Sequence, residues 1–82
     1  MIDAEQIRAA RGLLGWLQKD VADRTGLNLQ TIKRMETLGT GRSSVDNVLA
    51  VQRTFEVAGV QFIPENGGGA GVRMARPKGI TE

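Results

Sequence analysis

The residues with most to offer another molecule stand in "NLQTIKRMET", residues 28–37, where Gln30, Thr31, Lys33 and Arg34 are interleaved with Ile32 and Met35. If this is a helix with Ile32 facing inward, a step of about 100° per residue puts Gln30 and Arg34 at about 160° and 200°, opposite the core. Lys33 falls at about 100° and Glu36 leans inward at about 40° on the same count. A Gln amide both donates and accepts, and an Arg guanidinium presents a fork of donors. In a duplex major groove a Gln can pair with adenine N6 and N7, and an Arg with guanine N7 and O6. Thr31 suits a phosphate oxygen, Lys33 can reach a base edge or a phosphate, and Leu29 can touch a thymine methyl or fill space. The competing reading is a solvated face, since Gln, Lys and Arg are ordinary on helix surfaces.

Such a face needs elements that hold it. Asp3, with Gln6 three residues later, makes a capping box, and Ile7, Ala10 and Leu14 follow at helical spacing, so a first helix is predicted over 4–14. Gly15 ends it. "QKDVADRTG" predicts a second helix of barely two turns with Val21 and Ala22 inward, stopped at Gly26. Asn28 caps the third, which runs to about Thr37. "LGTGRSS" reads as a loop, after which Ser43 or Ser44 caps a fourth helix with Val45, Val48, Leu49, Gln52 and Phe55 along one side, ended by Gly59. "VQFI" and "GVRMA" switch to period two around "PENGGGAG", a hairpin in which Val60, Phe62, Val72 and Met74 can cover one end of a bundle. Its free edge could pair with a second copy. Trp16 is expected to pack between helices.

Composition excludes several function classes. The 82 residues contain no cysteine and no histidine, so disulfides, thiolate nucleophiles and the usual zinc ligands are absent from the sequence, and no metal or other cofactor is expected. The carboxylates are scattered along solvated faces, which predicts no enzyme. "ENGGGAG" is followed by "VRMA" and not by the Lys and Ser or Thr that a phosphate-binding loop requires. No run approaches the roughly 18 apolar residues of a membrane span, and no basic-then-apolar leader opens the sequence, so a cytoplasmic protein is expected. The net charge is only +2, but from Asn28 to Arg42 Lys33, Arg34 and Arg42 stand against Glu36 alone. Charge is placed more tellingly than it is summed.

Two short helices joined across a glycine survive only by close packing. Ala22 offers a small contact, Gly26 can take the positive φ of a tight turn, and Ile32 plugs the second helix from inside. That spacing, with Val21 and Leu27 beside it, is the spacing of a helix-turn-helix. The stretch "IRAARGLLGWLQKDVADRTGLNLQTIKRMET", with the loop and fourth helix after it, resembles the Cro/phage-repressor (XRE) helix-turn-helix family over residues 4–58. The resemblance implies a bundle of four or five helices that binds duplex DNA, usually as a dimer on an inverted repeat. It implies a phosphate contact for Gln18 and a structural salt bridge between Arg11 and Glu36. Lys19, beside Gln18, and Arg42 in the loop stand where the fold would place a DNA backbone. The chain departs from the family at Leu17, usually a Ser or Thr that caps the second helix, and at Leu29, often a polar base-contacting residue.

The expected architecture is therefore mostly α, a small four- to five-helix repressor-like bundle over residues 1–59 with a short C-terminal β-hairpin over 60–76 and a mobile tail over 77–82. The expected function is sequence-specific double-stranded DNA binding by a transcriptional regulator, a repressor acting as a homodimer, bound to the nucleoid when on DNA. Two third helices would then lie about 34 Å apart in successive major grooves. The alternative is an antitoxin or adaptor that grips a protein partner through the hairpin. A third reading, nonspecific nucleoid binding, sits poorly with so small a net charge. Arg73, Arg76 and Lys78 make the C-terminal end basic, a weaker hint of a phosphate-tracking tail.

Overall fold

Three of the four α-helices among the described residues begin where a side chain takes up one of their free N–H groups. At the first, Asp3 Oδ1 accepts from Gln6 N–H at 2.8 Å and Gln6 Oε1 accepts from Asp3 N–H at 3.0 Å, a complete capping box. The computed structural model describes residues 1–76, so the expected tail of 77–82 and Lys78 lie outside the described residues. Within it run α1 (Ala4–Leu14), α2 (Gln18–Thr25), α3 (Leu29–Leu38), a 3-10 turn (Thr40–Arg42), α4 (Val45–Val57), β1 (Val60–Ile63) and β2 (Gly71–Met74). Four helices and one two-stranded sheet make a mostly helical fold.

Helix α2 is preceded at its N-cap position by Leu17, whose side chain has nothing to offer a helix end. The contact comes from the other direction: Asp20 Oδ2 accepts from Leu17 N–H at 2.7 Å. Thr25 Oγ1 closes the other end, donating to Val21 O at 2.8 Å and accepting from Leu27 N–H at 3.2 Å. Gly26, at φ 76°, turns the chain into α3, and Asn28 caps that helix by accepting from Gln30 N–H at 2.8 Å.

The stretch expected as a plain loop is more ordered than its glycines suggest. Thr40 is buried and its hydroxyl donates to Ile2 O at 2.7 Å, pinning the 3-10 turn to the start of the chain. Ser44 supplies the cap of α4.

The inward stripe of α4 differs from the expected one. Val48, Val51 and Phe55 are buried, whereas Val45 and Leu49 are 58% and 38% exposed and Gln52 is half-buried. In "VDNVLAVQRTFEV" both stripes are apolar, and packing against α2 and β1 selects the one through Val51. Together with Ile7, Ala10, Val21, Ala22, Ile32, Met35, Ile2 and Val60 these residues form one core. Leu14 and Trp16 are half-buried at its edge.

The strands pair antiparallel with Val60 opposite Met74, Gln61 opposite Arg73, Phe62 opposite Val72 and Ile63 opposite Gly71. Phe62, Val72 and Met74 lie half-buried against the core, and Phe62 meets Phe55 edge to face at 6.1 Å. Trp16 stacks on Phe55 at 5.5 Å, with the Arg24 guanidinium 4.2 Å from its ring centre. One side chain of α1 hydrogen-bonds to both strands of the hairpin. Gln6, 6% exposed, donates through Nε2 to Ile63 O at 3.2 Å and Gly71 O at 3.0 Å, bonding both strands. Gly59, at φ 101°, turns α4 into β1, and a Cβ there would meet Met74 Cε at 3.3 Å.

Candidate nucleic-acid interface

Helix α3 presents two sides of opposite chemistry. Ile32 and Met35 are fully buried, while Gln30, Lys33 and Arg34 are exposed. Lys33 and Arg34 form no ion pair with any described residue, and neither does Arg42. Three cations with no acidic partner among the described residues therefore border one face, ready to meet an anion.

Glu36 adds a polar tie to the buried Ile32 and Met35 in setting the roll of α3, and so the direction of that face. Its side chain is 3% exposed and its two oxygens each accept from Arg11 at 2.8 Å, one from Nε and one from Nη2. Arg11 Nη1 also donates to Trp16 O at 3.2 Å. Hydrogen bonding to Glu36 raises the Arg11 pKa above its ordinary value, against the opposing effect of burial, and the carboxylate charge adds to it. Arg8, one turn earlier on α1, donates from Nη1 to the backbone carbonyl of Glu36. Two arginines of α1 thus grip the same turn of α3.

Thr31 and Arg34 line one wall of a cleft of about 220 Å³, and Arg42 with Ser44 and Asn47 of the α4 amino end lines the other. A helix amino end flanked by two guanidinium groups has the polarity to hold a phosphate. Asp46, exposed in the same first turn of α4, works against an anion there and limits the site to one shared with the arginines.

At the amino end of α2, Gln18 is half-buried and Lys19 exposed. Lys19 Nζ lies 3.1 Å from Asp23, a pair 73% and 62% exposed on its two side chains. Such a surface pair is worth well under about 1 kcal/mol and can yield to a stronger anion. Leu29 opens α3. It is half-buried and packs against the core, because the first residue of α3 sits only about 60° from Ile32 and an apolar chain there is drawn inward.

A helix-turn-helix family model matches residues 7–61, which span all of α2, α3 and α4 and all but the first turn of α1. The chain belongs to the helix-turn-helix family of the Cro/repressor (XRE) type. No curated protein and no solved structure matches it. The family is one of DNA-binding domains of transcription regulators and not of enzymes. Among the described residues, no helix is long and apolar enough to cross a membrane.

In this helix-turn-helix protein α2, Gly26 and α3 form the motif itself, and the match stops at the second residue of β1. The rest of the hairpin lies beyond the matched residues. Several residues that serve the site escape sequence reasoning. Arg8 is one, although it lies on the same side of α1 as Arg11, three residues apart. Asp20 is legible as the third residue after Leu17, the position of a capping-box carboxylate. The role of Thr40, which anchors the turn beside Arg42, leaves no local signal.

Proposed function

We propose that this helix-turn-helix protein binds double-stranded DNA sequence-specifically and regulates transcription, acting as a homodimeric repressor in the cytoplasm, at the nucleoid. Residues 1–59 are the DNA-binding unit, residues 60–76 an extension to it, and residues 28–37 the recognition helix. Gln30 and Arg34 read base edges, with Leu29 touching a thymine methyl and Lys33 reaching either a base or a phosphate. Gln18, Lys19, Thr31 and Arg42 hold the flanking phosphates and set the register. Repression follows from occupancy, since a domain seated in the major groove excludes other proteins from the same base pairs.

One observation carries the reading: Gln30, Lys33 and Arg34 stand exposed on α3, with no ion pair to any described residue, while Glu36 on the inner side is tied to Arg11. The test is a titration of the isotope-labelled protein with a mixed-sequence duplex, followed by amide chemical shifts. The reading expects perturbations concentrated at the start of α2, along α3 and over Thr40–Ser44. The antitoxin or adaptor alternative expects these amides to stay unmoved by DNA and the hairpin to respond to a protein partner instead. An unmoved α3 would end the reading.

A further inference from the structure

A homodimer, the reading on which this inference rests, needs a surface where two copies meet. Six large hydrophobic side chains are exposed among the described residues, and three of them, Val45, Leu49 and Val57, are on α4. Val45, Leu49 and Arg53 follow at intervals of four, a band that drifts only about 40° per step and lies away from the buried Val48, Val51 and Phe55. Asp46 stands on the Arg53 side of this band, and neither residue forms an ion pair with any described residue. Glu56, nearby, accepts from Gln52 at 3.2 Å.

The geometry points to this face as the homodimer interface, with α4 of one copy lying antiparallel against α4 of another across a two-fold axis near Leu49. In that arrangement Leu49 meets the Leu49 of the second copy. Val45 covers the aliphatic stem of the opposing Arg53, whose guanidinium comes level with the opposing Asp46. The symmetry repeats each contact, giving two reciprocal Arg53–Asp46 pairs. A parallel arrangement would instead set Asp46 against Asp46 and Arg53 against Arg53. Charge therefore selects both the occupant, a second copy of this chain, and its direction. One helix face against another lies at the small end of specific interfaces, so the dimer is weak off DNA and is completed on a two-fold symmetric site.

Sedimentation equilibrium from micromolar to sub-millimolar protein tests this. Arg53→Asp and Asp46→Arg should each weaken self-association about tenfold, since two pairs per dimer become repulsions, and Leu49→Asp should weaken it further. The double variant D46R/R53D restores opposite charges and should return association to near the wild-type value, which misfolded single variants could not do. A wild-type dimer that all these variants leave unchanged would overturn the α4 interface while the homodimer itself stood, with the hairpin edge as its remaining surface. A wild-type chain that stays monomeric at every concentration and on duplex DNA would overturn the interface and the homodimeric reading together.

Discussion

Both carboxylate oxygens of Glu36 accept 2.8 Å hydrogen bonds from Arg11, so α3 is fastened to α1 from its inner side while its outer side stays free. The two partners are unequal. Glu36 is 3% exposed, whereas Arg11 keeps 22% of its side chain in water. Removing Arg11 strands a buried carboxylate, but removing the Glu36 charge leaves an arginine that still reaches solvent and Trp16 O. Arg11→Met should therefore cost about 3–5 kcal/mol, the cost of a broken buried pair, and Glu36→Gln clearly less. Urea unfolding of the two variants checks this, and equal losses would contradict it.

The start of α2 is under-capped. Asp20 already accepts from Leu17 N–H, and Leu17 is 67% exposed, so little packing is lost on replacing it. Leu17→Ser should complete the capping box and raise stability by about 0.5–1 kcal/mol, while Asp20→Ala should lower it by about 1 kcal/mol. Thermal unfolding that ranks the variants otherwise would refute the assignment.

Gln6 bonds α1 to both strands of the hairpin through a single amide. Gln6→Ala leaves Ile63 O and Gly71 O without that donor and should cost about 1–3 kcal/mol. Hydrogen exchange should show the loss falling first on Val60–Ile63 and Gly71–Met74, with α2 and α3 still protected. Gln6→Glu keeps the capping acceptor but, when ionised, sets a negative charge against two carbonyls, so its destabilisation should ease as pH falls and the carboxyl is protonated. Uniform loss of protection across the chain would mean that Gln6 serves the core at large.

How much of the fold is legible in the sequence depends on the distance between partners. Asp3 and Asn28 announce helices because a cap bonds residues two or three places on, and Gly15, Gly26 and Gly59 announce their ends for a similarly local reason. The outer face of α3 is legible because one periodicity separates Gln30 and Arg34 from Ile32 and Met35. Helix α4 is ambiguous because two of its faces are apolar, and only packing against α2 and β1 decides between them. The second role of Gln6 lies beyond reach of any local pattern, since its partners are 57 and 65 residues away.

The proposed DNA contacts differ in what their loss should do. Arg42→Ala should lower affinity for every duplex and reduce the slope of log affinity against log salt by about 1, because one counterion fewer is released. Gln18→Ala should weaken all duplexes without changing that slope, since a neutral amide displaces no counterion. Arg34→Ala should cost about 1–3 kcal/mol and relax preference at one base pair. Anisotropy titrations at several salt concentrations separate the three, and an Arg34 variant with unchanged sequence preference would remove that residue from base reading.

The most direct test of the central claim, that the outer face of α3 reads DNA sequence, is selection of bound duplexes from a random pool by the purified, folded protein at near-physiological salt. The account predicts enrichment of a two-fold symmetric motif with half-sites about one helical turn apart, lost when Gln30 and Arg34 are both replaced by Ala. Recovery of a pool with no enriched motif would contradict it.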